Sequence, residues 1–176
     1  MVEAIPPSSL PRSPSAPERI LLVDDVASNL ALLASTLEPK GYEILVAQNG
    51  EDALRLAAAA QPELILMDVM MPGLDGLGTC QRLKQDPNLA DIPVLFITAL
   101  DDRQSVVRGF AAGGIDYVVK PFHAEEVLER VEHQLRLTRL HRHLAQANAH
   151  LSRQMAQLEQ ANPALADERD KLARTQ

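Results

Sequence analysis

The strongest constraint on this chain is the run Leu64-Ile65-Leu66-Met67-Asp68, four consecutive apolar residues closed by a carboxylate. An unbroken apolar run this short suits a strand buried on both faces, as in a parallel sheet with helices on either side. Met71-Pro72-Gly73 then turns the chain. A carboxylate at the end of a buried central strand is costly unless a cation, a metal or hydrogen-bond donors stand beside it. Ligands bind at this same carboxyl edge in open parallel sheets. Its partners are therefore to be sought at the ends of other strands.

Three other apolar runs end in polar residues. Asp24 and Asp25 follow Ile20 to Val23, Thr98 ends the run from Pro93 to Ile97, and Lys120 ends the run from Ile115 to Val119. Each alone has a plain structural explanation, since an Asp after a strand commonly caps a helix and a Lys is commonly solvated. Three carboxylates, a hydroxyl and an ammonium at successive strand ends point instead to a site for a divalent metal and a phosphoryl group.

Leu-Val-Asp-Asp at 22–25, Met-Asp-Val-Met-Met-Pro-Gly-Leu-Asp-Gly at 67–76, Ile-Thr-Ala at 97–99 and Asp-Tyr-Val-Val-Lys-Pro-Phe at 116–122 occur in one order. In motif, order and spacing the chain resembles the receiver domains of two-component response regulators, from about Arg19 to Leu135. The resemblance implies a flavodoxin-like, doubly wound five-stranded parallel sheet of order 2-1-3-4-5. It also implies that Asp68 is the phosphoacceptor. Asp24, Asp25, Asp68 and the backbone carbonyl of Met70 would hold Mg2+, and Thr98 and Lys120 would contact the phosphoryl oxygens. Tyr117 stands where the family often places an aromatic that turns inward when Thr98 moves, a half-exposed strand tyrosine being the plain alternative, and the Lys120-Pro121 bond is expected to be cis. Autophosphorylation from a phosphohistidine or a small phosphodonor, followed by self-dephosphorylation, is the activity implied, and the partner is a sensor histidine kinase. Leu100 departs from the pattern, and Gly114, where many relatives carry alanine, is expected to loosen the loop before the fifth strand.

Read in order, residues 1–18 interleave five prolines with four serines and suit a disordered arm. Apolar residues at helical spacing then place a first helix on Leu30, Leu33 and Leu37, capped by Ser28 or Asn29. A second strand is expected over 43–47 and helices over 51–60, 75–85 and 102–112. Strands four and five are expected over 93–97 and 115–119, with Gly113-Gly114 as a helix stop. Alternating strands and helices imply right-handed crossovers and a sheet covered on both faces.

The last helix continues past the domain. Leu137, Leu144, Leu151, Leu158, Leu165 and Leu172 recur every seven residues, the register of a helix that pairs with another helix. The companion positions are poor: His141, Asn148, Met155, Asn162 and Arg169 in one register, Leu140, Ala147, Gln154, Ala161 and Glu168 in the other. Residues 136–176 are thus expected to be a helical extension forming a weak, register-specific coiled-coil homodimer. A kink or break is expected at 161–163, where Asn162 can cap a new helix beginning at Pro163. The state of the receiver would pass through this helix to an output domain absent from the chain, or the helix would itself be the output. A constitutive dimerisation or scaffold module with a vestigial site is the alternative.

Charge excludes some classes of partner. Residues 136–176 hold seven Lys/Arg against four Asp/Glu, which leaves −10 of the total −7 on residues 1–135. An acidic body with few aromatics (3%) does not suit direct nucleic-acid binding. No apolar run is long enough to span a bilayer and no signal peptide is visible, so a cytoplasmic location is expected. Cys80 alone cannot form an internal disulfide. His141 and His143 lie on different helix faces and suit a solvated surface, and Gly73, Gly76 and Gly78 suit a turn.

Overall fold

Successive residues of a strand point to opposite sides, and here the period-2 division sorts the core into two halves. The computed structural model describes residues 16–99, 103–162 and 169–173. Its elements are β1 (Arg19–Val23), α1 (Ala27–Leu37), a 3-10 turn (Glu38–Lys40), β2 (Glu43–Ala47), α2 (Gly50–Ala60), β3 (Leu64–Asp68), α3 (Gly76–Gln85), β4 (Val94–Ala99), α4 (Arg103–Ala111), β5 (Asp116–Lys120) and α5 (Ala124–Ala161). All strand pairs are parallel, in the order β2-β1-β3-β4-β5. Leu21, Val23, Ile65, Met67, Val94 and Phe96 face one side, with Ala53 and Ala57 of α2 and Cys80 and Leu83 of α3. Ile20, Leu22, Leu64, Leu66, Leu95 and Ile97 face the other, with Leu30, Leu33 and Leu37 of α1 and Val127, Val131 and Leu135 of α5. This is the doubly wound sheet expected from the sequence.

Every residue of β3 is buried. Removing its four apolar side chains from water is worth roughly 6–12 kcal/mol in all, which fixes the strand's place at the centre and carries Asp68 with it.

Most boundaries fall within two residues of expectation, but one cap differs. The N-cap of α1 is Val26, with no side-chain cap. Asp24 Oδ1 instead accepts from the Val26 N–H at 2.8 Å, and Asn29 Nδ2 donates to Asp24 Oδ2 at 3.0 Å. Asn29 thus serves the acidic site rather than the helix end, because Asp24 is fully buried and needs donors more than the exposed helix start does. α2 and α3 are capped conventionally: Asn49 accepts from Asp52 N and Asp75 from Gly78 N. α4 closes with Gly113 at φ +102° and the Gly114 N–H donating to Gly109 O. The Lys120-Pro121 bond is cis.

The chain divides into two compact units, Met1–Leu135 and Arg136–Gln176. In the second, Leu137, Leu140, Leu144, Leu151, Met155 and Leu158 are 38–66% exposed along α5. The helix ends at Ala161, and the Asn162 N–H donates to Leu158 O. Residues 1–15 of the expected disordered arm, Leu100, Pro163 with the start of the expected new helix, and Leu165 lie outside the described residues. None of the described helices is long and apolar enough to cross a membrane.

Candidate functional site

Parallel register brings the chosen residues to one edge. Asp68 pairs with Ile97, Thr98 with Val119 and Ala99 with Lys120, so β3, β4 and β5 deliver Asp68, Thr98 and Lys120 side by side. β1 ends just before Asp24 and Asp25. Carboxylate oxygens of Asp24, Asp25 and Asp68 all lie within 4.8 Å of one another. Lys120 Nζ lies 3.1 Å from Asp68 Oδ2 and 3.3 Å from Asp24 Oδ2. Asp24 and Asp68 are buried, whereas Asp25 is exposed and leaves the cluster open to water.

Burial raises the pKa of Asp68 above the ordinary carboxylate value. The Lys120 ammonium pulls against this, the nearby Asp24 adds to it, and the Met70 N–H, donating to Asp68 Oδ1 at 3.2 Å, lowers it again. Three carboxylates against one ammonium leave two negative charges, a surplus a divalent cation would neutralise. The donors are all oxygens and one side is open for waters, which fits Mg2+. Thr98 adds a second mark of fit: it is 2% exposed, and its Oγ1 is the one buried side-chain polar atom without a partner among the described residues. A hydroxyl held dry and unpaired beside an acidic cluster is suited to an incoming anionic group.

Met70 is 67% exposed, so its side chain takes no part in the cluster. Tyr117 packs partly buried against the α2–α3 half of the core, edge-on to Phe110 with ring centroids 6.1 Å apart. Three supports were not foreseen. Asn29 braces Asp24. Gly76 lies so close under the strand that an added Cβ would stand 2.9 Å from both Asp68 C and Val69 Cα, and nearer still to Asp68 O. Asp116 accepts from Arg130 Nη1 with both oxygens, at 2.7 and 2.9 Å, and from the Tyr117 N–H. The only sequence signals were Asn29 one helical turn past the acidic pair, and the glycine at the start of α3.

A doubly wound sheet that gathers an acidic cluster, a lysine and a threonine at its carboxyl edge defines a class of domain whose edge suits a divalent cation and an anionic group. Comparison narrows the class: residues 20–132 match the response regulator receiver domain, and the chain belongs to that family. It is 45% identical over 120 residues to the DNA-binding dual master transcriptional regulator RpaA of Synechocystis sp., covering 68% of this chain and 50% of that one. It is 44% identical over 113 residues to the response regulator PleD of Caulobacter vibrioides, covering 64% of this chain and 25% of that one. The chain thus spans half the length of the first relative and a quarter of the second. Among solved structures, the signal receiver domain of a signal transduction histidine kinase from Syntrophus aciditrophicus superposes with TM-score 0.63 at 36% identity, over 67% of this chain and 89% of that one. Chemotaxis protein CheY4 of Vibrio cholerae gives TM-score 0.64 at 30% identity, over 67% and 98%.

Proposed function

We propose that Asp68 accepts a phosphoryl group from a sensor histidine kinase in the cytoplasm, and that α5 carries the resulting state to an effector. The observation that carries this reading is the Lys120 ammonium bridging Asp68 and Asp24 beside the buried, unpaired Thr98 hydroxyl. A carboxylate oxygen of Asp68 attacks phosphorus, the phosphorus–nitrogen bond of the donor histidine breaks, and an acyl phosphate forms. Lys120 then pairs with a phosphoryl oxygen and Thr98 donates its hydroxyl to another, which gives that hydroxyl its missing partner. Carboxylates of Asp24, Asp25 and Asp68 and the Met70 carbonyl would hold Mg2+, which when bound would supply charge neutralisation for the transferred group. As Thr98 moves, Tyr117 turns inward and the surface of α4, β5 and α5 changes. The exposed leucines Leu137, Leu144, Leu151 and Leu158 form the seam of a homodimer whose geometry reports the state.

Wild-type protein with magnesium and radiolabelled acetyl phosphate is expected to label, and Asp68→Asn to remain unlabelled. Persistent labelling of the variant would remove the assignment. A vestigial scaffold would instead show no labelling of the wild type.

A further inference from the structure

β4 sends Val94, Phe96 and Thr98 to the same face of the sheet, so Phe96 and Thr98 are next neighbours along that face and line one cleft. Two glycines make room for that ring. A Cβ on Gly114 would stand 2.6 Å from Phe96 Cδ2, closer still to Cε2, and 3.0 Å from Gly109 O. A Cβ on Gly109 would stand 3.0 and 3.1 Å from the same two ring atoms. Gly114 is not among the residues with positive φ, so its lack of a side chain answers to this contact and not to backbone conformation. The expectation that Gly114 loosens the loop is therefore replaced: the space is filled by an aromatic ring.

Phe96 also borders a cleft with room for about one water, lined in addition by Val69, Thr98, Phe110, Gly114 and Tyr117. The unpaired Thr98 hydroxyl belongs to this lining, and Tyr117 stands at its rim against Phe110. We propose that Gly114 is a positioning residue for signalling: by housing the Phe96 ring against α4 it keeps the cleft open, and the inward turn of Tyr117 depends on that space. The inference rests on the reading above that Tyr117 moves when Asp68 is phosphorylated. A methyl group at position 114 displaces the ring by most of an ångström. The ring already packs closely over Gly109 of α4, so the added methyl presses it away from its place between the two glycines and toward the cleft it lines. With Phe96 as the neighbour, Tyr117 is then shut out, and the phosphorylated form loses its favoured packing while the resting fold is kept.

The test uses the full chain with Tyr42→Phe, which leaves Tyr117 as the sole tyrosine, labelled as 3-fluorotyrosine and followed by fluorine NMR on titration with magnesium and beryllofluoride, a phosphoryl mimic. In this background the Tyr117 resonance is expected to shift. With Gly114→Ala it is expected to stay at its resting position or to need about tenfold more beryllofluoride, the equivalent of a one-methyl overpacking cost. Phe96→Leu combined with Gly114→Ala is expected to respond as Phe96→Leu alone does, because leucine lacks the ring atoms the methyl meets. This pair keeps the test valid should Gly114→Ala fold poorly by circular dichroism. An unchanged response in Gly114→Ala, or no recovery in the double variant, overturns the role of Gly114 and leaves the Tyr117 reading intact. No shift in the parent overturns the Tyr117 reading and this inference together.

Discussion

Gly76 and Gly78 open the same helix two residues apart, yet their replacement by alanine should have unequal consequences. At Gly76 the new Cβ meets backbone: 2.9 Å to Asp68 C and Val69 Cα, against 3.4–4 Å for an ordinary contact, with Asp68 O nearer again. The end of β3 and the start of α3 must separate, which costs about 1–3 kcal/mol as overpacking. Separation also weakens the 3.0 Å bond from Gly76 N–H to Val69 O, worth about 1 kcal/mol. Alanine returns about 1 kcal/mol in helix propensity, so Gly76→Ala should destabilise by about 1–3 kcal/mol. At Gly78 the Cβ meets only Leu74 Cδ1 at 2.9 Å, a side-chain end that can turn aside, and Asp75 Oδ1 at 3.2 Å, which can give by a few tenths of an ångström while still accepting the Gly78 N–H as the helix cap. There the propensity gain and the small rearrangement should nearly cancel, to within about 0.5 kcal/mol of wild type. Urea denaturation of the three proteins, read as midpoint shifts at constant slope, measures both values. Equal stability of Gly76→Ala and Gly78→Ala would refute the claim that backbone contact at the Asp68 strand end is what reserves position 76 for glycine.

Two further outcomes follow from the core and from α5. The Cys80 thiol, fully buried and donating to Ala112 O, is pushed up to about 11 from 9.0 by burial, with Lys84 opposing. Its folded pKa lies above its unfolded one, so its contribution to stability is complete below about pH 9 and is lost as pH rises toward 11. Urea unfolding at pH 8 and pH 10.5 should show wild type losing up to roughly 2 kcal/mol more than Cys80→Ala, and equal losses would contradict the burial argument. On α5, light scattering with magnesium and beryllofluoride should give a dimer mass for the wild type and a monomer mass for Leu144→Glu/Leu151→Glu. Those two leucines, 60% and 55% exposed in the single chain, stand to contribute roughly 1–2 kcal/mol each if the seam buries what is exposed. An unchanged mass in the double variant would place the contact elsewhere.

The sequence alone determined the sheet and the identity of the residues that meet at its carboxyl edge. Apolar runs ending in Asp24, Asp68, Thr98 and Lys120 are local patterns, and once the strands are parallel and adjacent, their carboxyl ends must meet. Periodicity likewise marked the core-facing Leu30, Leu33 and Leu37 of α1, because it depends only on neighbours three or four residues away, whereas the grouping of α1 with α5 and of α2 with α3 belongs to the fold. What only the tertiary structure decided are contacts between residues distant in sequence or turned across a loop. Asn29 braces Asp24 instead of capping its own helix, Gly76 presses beneath Asp68, and Asp116 is clasped by Arg130, 14 residues on. Gly114 illustrates the difference most sharply. In the sequence it stands beside another glycine and reads as slack in a loop, whereas in the fold its missing side chain is occupied by the ring of Phe96, 18 residues earlier. Close packing fills every such space, and which atoms fill it is settled only when separate segments are brought together.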